Sequence, residues 1–456
     1  MLSNEIADYE SEKLTIDCPD VILEPISGTT LKRLNGPGSI IQKVGGGFLL
    51  KAFVGQQVDI MDTLGRINRF KAGKIIGSSE YYRMSATDMR GNAWTCDRLY
   101  PDFSTSFHVS NSIMTSVLRE IYKSTPLPMK TPDAELQLKF KGNFEIPANM
   151  GSLMTKQIAG QTRGGKAERN VCKFSSCKID IEIVRENEWM VVDAISAEYE
   201  IDECMVSRIK ETIQLCMGRQ LDWSYKTITK NATEQLFLRG IIPNENRGMF
   251  CPPVNYHSPA NVNDVIHLMD CYLAKTINSK DLSVHPVFHP LYAAILASQS
   301  TTETEALVLS TSVESMLDNA IKVEQDEKVI DALKRLRQYI NSSKYPDNLK
   351  RRLSGLLGMM TSPSAVEKLN QLVRNKAIAK DLVDAWKKLR PKLAHGNYAV
   401  GDSQEFLDLV HSVHVLLHHL LFYCIGYNGK YTDYSKEGWP TLTYSTVQKN
   451  QDVYKS

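Results

Sequence analysis

Several features that would settle the class of this 456-residue chain at once are missing from it. There is no long hydrophobic run: the longest, Val415 to Ile425, reaches about half the length of a membrane span and is interrupted by His418 and His419. A transmembrane protein is therefore not expected. The opening stretch, MLSNEIADYESEK, is acidic and lacks a basic segment leading into an apolar one, so no secretory signal is read there. The expectation is a cytoplasmic protein with no membrane partner. An excess of one charge is also lacking, since 54 basic residues against 52 acidic ones leave a formal net charge of +2. Histone-like or strongly acidic behaviour is excluded, and any nucleic-acid surface must be local. Cysteine is sparse and odd in number: nine residues, scattered from Cys18 to Cys424, fit reduced thiols better than a disulfide framework. No Gly-x-Ser-x-Gly elbow, dinucleotide fingerprint or solenoid-type repeat occurs.

What is present divides the chain in two. From about Lys13 to Thr229 the pattern is mostly of period two, with short runs such as Val21-Ile22-Leu23, Ser39-Ile40-Ile41 and Phe48-Leu49-Leu50 set apart by Gly, Pro and Asn. The clearest hairpin is Lys178 to Ile183, a turn at Glu186-Asn187, and Trp189 to Val192, with further strands over Tyr81–Ala86 and Glu135–Phe144. One helix interrupts, marked by Met205, Ile209, Ile213 and Cys216-Met217 after the cap Asp202. Beyond the Pro- and Asn-rich stretch 241–261 the period becomes 3.6. Helices are predicted over 262–276, 290–298, 302–321, 328–340, 348–359, 364–373, 378–389 and 403–423. The expected class is α+β: a mainly antiparallel β domain over 1–250, a helical connector over 251–300, a helical bundle over 301–430 and an extended surface tail over 431–456.

Charge is segregated inside the helical half. Residues 301–330 carry seven acids and two lysines, whereas residues 331–400 carry 15 basic and five acidic residues. A solvated helix face and a phosphate-binding surface explain this equally well. Gly160 to Lys166 almost spells a phosphate-cradling loop, but Ala167 supplies no hydroxyl and the flanking segments are strands. A mobile basic loop, Gly160 to Asn170, is the expectation. Cys172 and Cys177 lack a second pair at zinc spacing, and His285 and His289 each adjoin a proline. His411, His414 and His418 share a helical face without a carboxylate to complete a ligand set, so neither metal nor cofactor is expected.

One stretch stands out, Trp386-Lys387-Lys388-Leu389-Arg390-Pro391-Lys392-Leu393-Ala394-His395-Gly396. Leu382, Trp386, Leu389 and Leu393 form an apolar stripe at helical spacing. In an unbroken helix Arg390 and His395 would diverge by about 140°. Pro391 is expected to break the helix, and Gly396 to break it again, so that a turn gathers guanidinium and imidazole on one surface. A helix terminus with a basic cap is the alternative.

Here the chain resembles the HEPN superfamily, whose hallmark is R-x4–6-H. The Arg390 to His395 spacing, followed by Gly396, falls late in a helical domain and before a last long helix. Upstream, Ala306 to Leu317 is similar to the first helix of the ApeA-like HEPN branch, with Glu314 in a Glu-x-x-Leu step. Downstream, Gly429 to Tyr434 resembles the tail such domains carry. The resemblance covers roughly residues 300–435; the sequence departs from active members at Pro391, where a small polar residue is common.

The resemblance implies a metal-independent endoribonuclease in an antiviral (anti-phage) or toxin setting, acting on RNA such as tRNA. It implies a homodimer or higher homo-oligomer through the helical domain, and a viral protein or other ligand as trigger at the first domain. The chemistry is self-consistent: RNA brings its own 2′-OH nucleophile, so a proton-transfer group and a cation for the phosphorane suffice. His395 and Arg390 fill those roles, and Glu314 either orients them or serves as a buried helix-cap partner. Lys350, Arg351, Arg352, Lys387, Lys388 and Lys392 are the candidates for tracking phosphates. The alternative is a non-catalytic module that holds RNA or a nucleotide without cutting it, and a third reading is a basic strip that docks an acidic partner.

Overall fold

The structure is a computed structural model, and it describes residues 2–27, 31–54, 73, 75–104, 112–127, 134–158, 161–244, 250–323, 325–394 and 403–445. The chain is α+β, a large antiparallel sheet followed by helices, as the change of period predicts. It forms two compact units: Met1–Asp202 with Leu221–Glu245, and Glu203–Gln220 with Asn246–Ser456.

The first unit begins with a helix that the sequence reading missed, α1 (Leu2–Glu10). Tyr9 anchors it, its buried hydroxyl sharing one hydrogen between the carbonyls of Ser224 (2.6 Å) and Arg239 (2.8 Å). Fifteen strands follow in one sheet, all paired antiparallel: β1 (Thr15–Pro25), β2 (Leu34–Gln42), β3 (Phe48–Val54), β4 (Tyr82–Thr87), β5 (Ala93–Leu99), β6 (Asp102–Ser104), β7 (Ser112–Leu118), β8 (Glu120–Pro126), β9 (Ala134–Lys141), β10 (Met150–Ile158), β11 (Gln161–Ser176), β12 (Ile179–Glu186), β13 (Trp189–Ser196), β14 (Tyr225–Lys230) and β15 (Thr233–Arg239). The order is β10-β11-β12-β13-β9-β14-β15-β8-β5-β4-β1-β2-β3-β7-β6. Five strands separate β7 from β8 in that order, yet only Arg119 separates them in the chain. This part of the sheet must therefore curl until its ends meet, around a core that includes Tyr9, Phe48, Trp94 and Leu238.

The predicted hairpin pairs Ile181 with Ala194 and Ile183 with Val192, and Ile179, Ile181 and Ile183 are buried by alternation. Its turn uses Asn187 at φ 51°, a left-handed position that asparagine tolerates. The expected basic loop at 160–170 is not a loop. Residues 161–170 lie in β11, whose Lys166 and Arg163 pair in register with Met154 and Lys156, and Gly160 lies outside the described residues. The register shifts between these two pairs, where Gly164 and Gly165 allow a bulge without a side-chain penalty.

The second unit takes α2 (Glu203–Met217), which the sequence reading had placed in the β domain, and it also takes the segment 251–300 expected as a connector. The helix is buried along nearly its whole length, which a helix lying on an open sheet face would not need. Its Arg208 side chain is fully buried and pairs with Glu211 at 3.0 Å, while Tyr272 donates to the same carboxylate at 2.7 Å. The unit continues with α3 (Val262–Thr276), α4 (His289–Ala297), α5 (Thr302–Asn319), α6 (Glu327–Ser342), α7 (Asp347–Met359), α8 (Ala365–Arg374), α9 (Lys380–Ala394) and α10 (Ser403–Ile425).

By length and composition, residues 404–425 of α10 would suffice to cross a membrane. Leu416, Leu417, Leu420 and Leu421 are fully buried, however, and α10 packs against α5 and α9 as the unit's central helix. The tail is not simply extended: β16 (Gly429–Thr432) and β17 (Thr441–Tyr444) form a hairpin. Tyr431, Tyr434 and Tyr444 are buried there, whereas Trp439 is exposed.

Candidate active site

Two helices build the candidate site. On α9 the stripe Leu382, Trp386 and Leu389 is buried, as its spacing requires, which leaves Lys388 and Arg390 exposed and Lys387 half-buried. On α5, Leu309, Val313, Met316 and Leu317 are buried. Two rungs join the helices. The Trp386 indole N–H donates to the Ser310 carbonyl at 3.1 Å, and four residues on, Arg390 Nε meets Glu314 Oε1 at 2.5 Å. Because both rungs advance by four in the same direction, α5 and α9 run parallel here.

The guanidinium is held but not hidden. Arg390 keeps 54% of its side-chain surface and Glu314 keeps 31%. The Arg390 guanidinium carbon also lies 5.5 Å from the centre of the Trp386 ring, close enough for a cation–π attraction. Trp386 thus does two things, filling the core with its body and steadying the cation with its face. A pair this exposed adds little to stability, typically less than about 1 kcal/mol, so its geometric effect on Arg390 outweighs its energetic one.

The expected break at Pro391 does not occur. The helix α9 runs on to Ala394. Proline removes one backbone donor and crowds the carbonyl four residues back, at a cost of about 3 kcal/mol in a helix interior. Burial of Leu382, Trp386 and Leu389 holds the helix against that cost. The turn expected at Pro391, which was to gather guanidinium and imidazole on one surface, is thus not present within 380–394. His395 itself lies outside the described residues, as do the side chains of Pro391, Lys392, Leu393 and Ala394.

The remaining basic candidates do not form one surface. Lys350, Arg351 and Arg352 sit on α7, where consecutive residues fan out by about 100° each and so cannot all face one strand of phosphates. Lys387 lies 4.0 Å from Asp384 on its own helix.

The histidine face of α10 is mostly interior. His414 Nε2 lies 3.0 Å from Glu305 Oε1, and Phe250 packs against both His414 and His418 at ring separations of 4.6 and 5.6 Å. Burial holds the His418 imidazole well below its ordinary range and pushes that of His419 down to about 4. Glu305 is the carboxylate that the spacing on α10 alone could not reveal. Among the described residues no group of three or more His, Cys, Asp or Glu side chains is arranged to hold a metal ion. The Arg208–Glu211–Tyr272 cluster was also missed, because an Arg-x-x-Glu step inside an apolar pattern reads as solvent-facing.

Comparison with family models, with curated proteins and with solved structures finds no match to this chain.

Proposed function

We propose that the helical unit is a metal-independent endoribonuclease of the HEPN type, acting in antiviral defence or as a toxin, with Arg390 and His395 as its catalytic pair and Glu314 as a positioning residue. One observation carries the reading: Arg390 is fixed by Glu314 at 2.5 Å yet stays half-exposed, on the helix that leads directly into His395. An arginine meant for a phosphate must be aimed and left accessible.

The roles follow from the chemistry of RNA. His395 takes the proton from the 2′-OH, and the Arg390 guanidinium meets the charge that builds on the phosphorane oxygens. The 2′-oxygen forms a bond to phosphorus as the bond to the 5′-oxygen breaks, and the leaving 5′-oxygen takes up a proton from water. The products are a 2′,3′-cyclic phosphate and a 5′-OH. Lys387, about 60° round α9 from Arg390, attracts the backbone, with Lys388 and Lys392 part of the same proposal. A homodimer bringing two copies of the pair into one cleft, and regulation by the β-rich unit, belong to this reading.

The experiment is incubation of the purified chain with total cellular RNA in EDTA. Wild type should cut and leave cyclic phosphate ends. His395→Ala should abolish cutting, and Arg390→Ala should lower the rate by on the order of a hundredfold or more. Both variants cutting at the wild-type rate would remove the assignment. Binding of RNA without any cutting by wild type would favour the non-catalytic module.

A further inference from the structure

The helices α6 and α7 form a hairpin whose apolar residues are only partly used. Leu333 and Ile340 pack on Leu353 and Leu357, a small core of its own. The helices are antiparallel, because Gln325, just before α6, donates to the carbonyl of Met360, just after α7, at 3.2 Å. At about 100° per residue, Leu336 and Tyr339 lie roughly 50° and 110° to one side of the Leu333–Ile340 line. Leu349 and Leu356 lie roughly 60° and 80° from the Leu353–Leu357 line, in the same sense of rotation. In antiparallel helices an equal sense of rotation points both flanks to one face. That face is exposed: Tyr339 keeps 65% of its surface, Leu356 57% and Met360 54%.

The hairpin's acids are confined to one side, while its cations lie on both, Lys334, Arg337, Lys350 and Arg351 sharing the side of the acids. Lys328 and Arg335 on α6 and Arg352 on α7 fall roughly 120° to 150° round in that same sense, along the two outer edges of the apolar face. The three acids of the two helices, Glu327, Asp331 and Asp347, fall on the other side, where Asp331 pairs with Lys334 at 3.4 Å. An apolar strip edged by cations and free of acids matches an anionic, flat, apolar-centred surface.

We propose that this hairpin face docks on an anionic lipid bilayer, its leucines and Tyr339 entering the headgroup boundary and its edge cations meeting lipid phosphates. RNA is the poorer fit, since leucine and methionine offer no face for bases to stack on. A second copy of the same face would set the cationic edges against each other. A helix nested in the groove would not reach Tyr339 or Met359, which lie far out on their helices. The earlier expectation of no membrane partner rested on spanning segments and does not bear on helices that lie in the interface. The proposal stands apart from the nuclease reading and is tested with the His395→Ala full-length chain as well as wild type.

The measurement is co-sedimentation of the full chain with phosphatidylcholine vesicles, with and without phosphatidylserine. Binding should require the anionic lipid and weaken with salt. Leu336→Asp with Leu356→Asp, both at exposed positions, should reduce binding at least tenfold without altering the circular dichroism spectrum, and Arg335→Glu with Arg352→Glu should reduce it less. No binding to anionic vesicles, or equal binding by the double aspartate variant, overturns the proposal. So does a double aspartate variant that loses RNA binding or self-association while wild type ignores vesicles.

Discussion

Between α5 and α9 the large apolar side chains are enclosed and the charges meet at the rim, so Arg390 is aimed by what lies beneath it. Between α6 and α7 a four-residue core holds the pair, Tyr339, Leu356 and Met359 stand in solvent, and Lys328, Arg335 and Arg352 border an apolar face. Arg390, Arg335 and Arg352 nevertheless come from one basic stretch of sequence, residues 331–400. The contrast shows that a charge run is not one surface. Where the underlying core is thick, a basic side chain acquires a fixed direction; where it is thin, it keeps its reach and follows whatever binds.

The largest effect should come from removing the anchor of the first pair. Trp386 is fully buried and holds both rungs, so Trp386→Ala should cost about 3 to 5 kcal/mol in urea denaturation and release Arg390. Leu357→Ala in the hairpin should cost no more than about 2 kcal/mol, because its small core can open locally. Equal losses at the two sites would erase the distinction between a thick core and a thin one.

That distinction was only half legible in the sequence. Apart from the C-terminal end of α9, which runs past the predicted 389 to Ala394, the helices of the second unit were bounded to within about two residues, because 3.6-residue periodicity records which face is buried. The stripe Leu382, Trp386 and Leu389 told the truth about α9. Pro391 misled, since local propensity predicts a break and tertiary packing overrode it. The segment 160–170 misled in the opposite way: glycines and cations resemble a loop, but strand pairing with β10 is a long-range event with no local mark. Glu314 was found through a family resemblance, and its contact with Arg390 lay beyond spacing arguments because 76 residues of chain separate the two helices' contributions. Glu305 against His414 was missed for the same reason.

A second test uses acid, since the hairpin contains no histidine and the α10 core contains several. His418 is held well below its ordinary range by burial, and His419 is lowered to about 4 by the same cause. Unfolding returns both to about 6.5, so below that pH the unfolded chain binds more protons than the folded one. Stability contributed by neutral burial is therefore complete above about pH 6.5 and is lost as pH falls toward 4, on the order of 3 kcal/mol for His419 alone. The urea midpoint of the helical unit should drop between pH 7.5 and pH 5, roughly that interval being where the imidazoles of the unfolded chain titrate. His419→Asn should flatten the slope. A midpoint independent of pH would mean that these rings are not buried neutral.

The smallest effect on stability, and the sharpest on the comparison, is expected at the rim itself. Glu314→Gln keeps the shape of the side chain and removes the charge that fixes Arg390. A pair with 54% and 31% of its side chains exposed should lose less than about 1 kcal/mol of folding stability. If Glu314 positions Arg390 for RNA, cleavage should fall on the order of tenfold, about 1.4 kcal/mol of transition-state stabilisation, mostly in kcat with KM little changed. Glu314→Asp, which retains the charge on a shorter arm, should recover part of that loss. A structural cap would behave in reverse, with stability falling and the rate per folded molecule unchanged. The ratio of the two losses, measured on one preparation by urea denaturation and by single-turnover cleavage, therefore separates a residue that aims another from one that merely closes a helix.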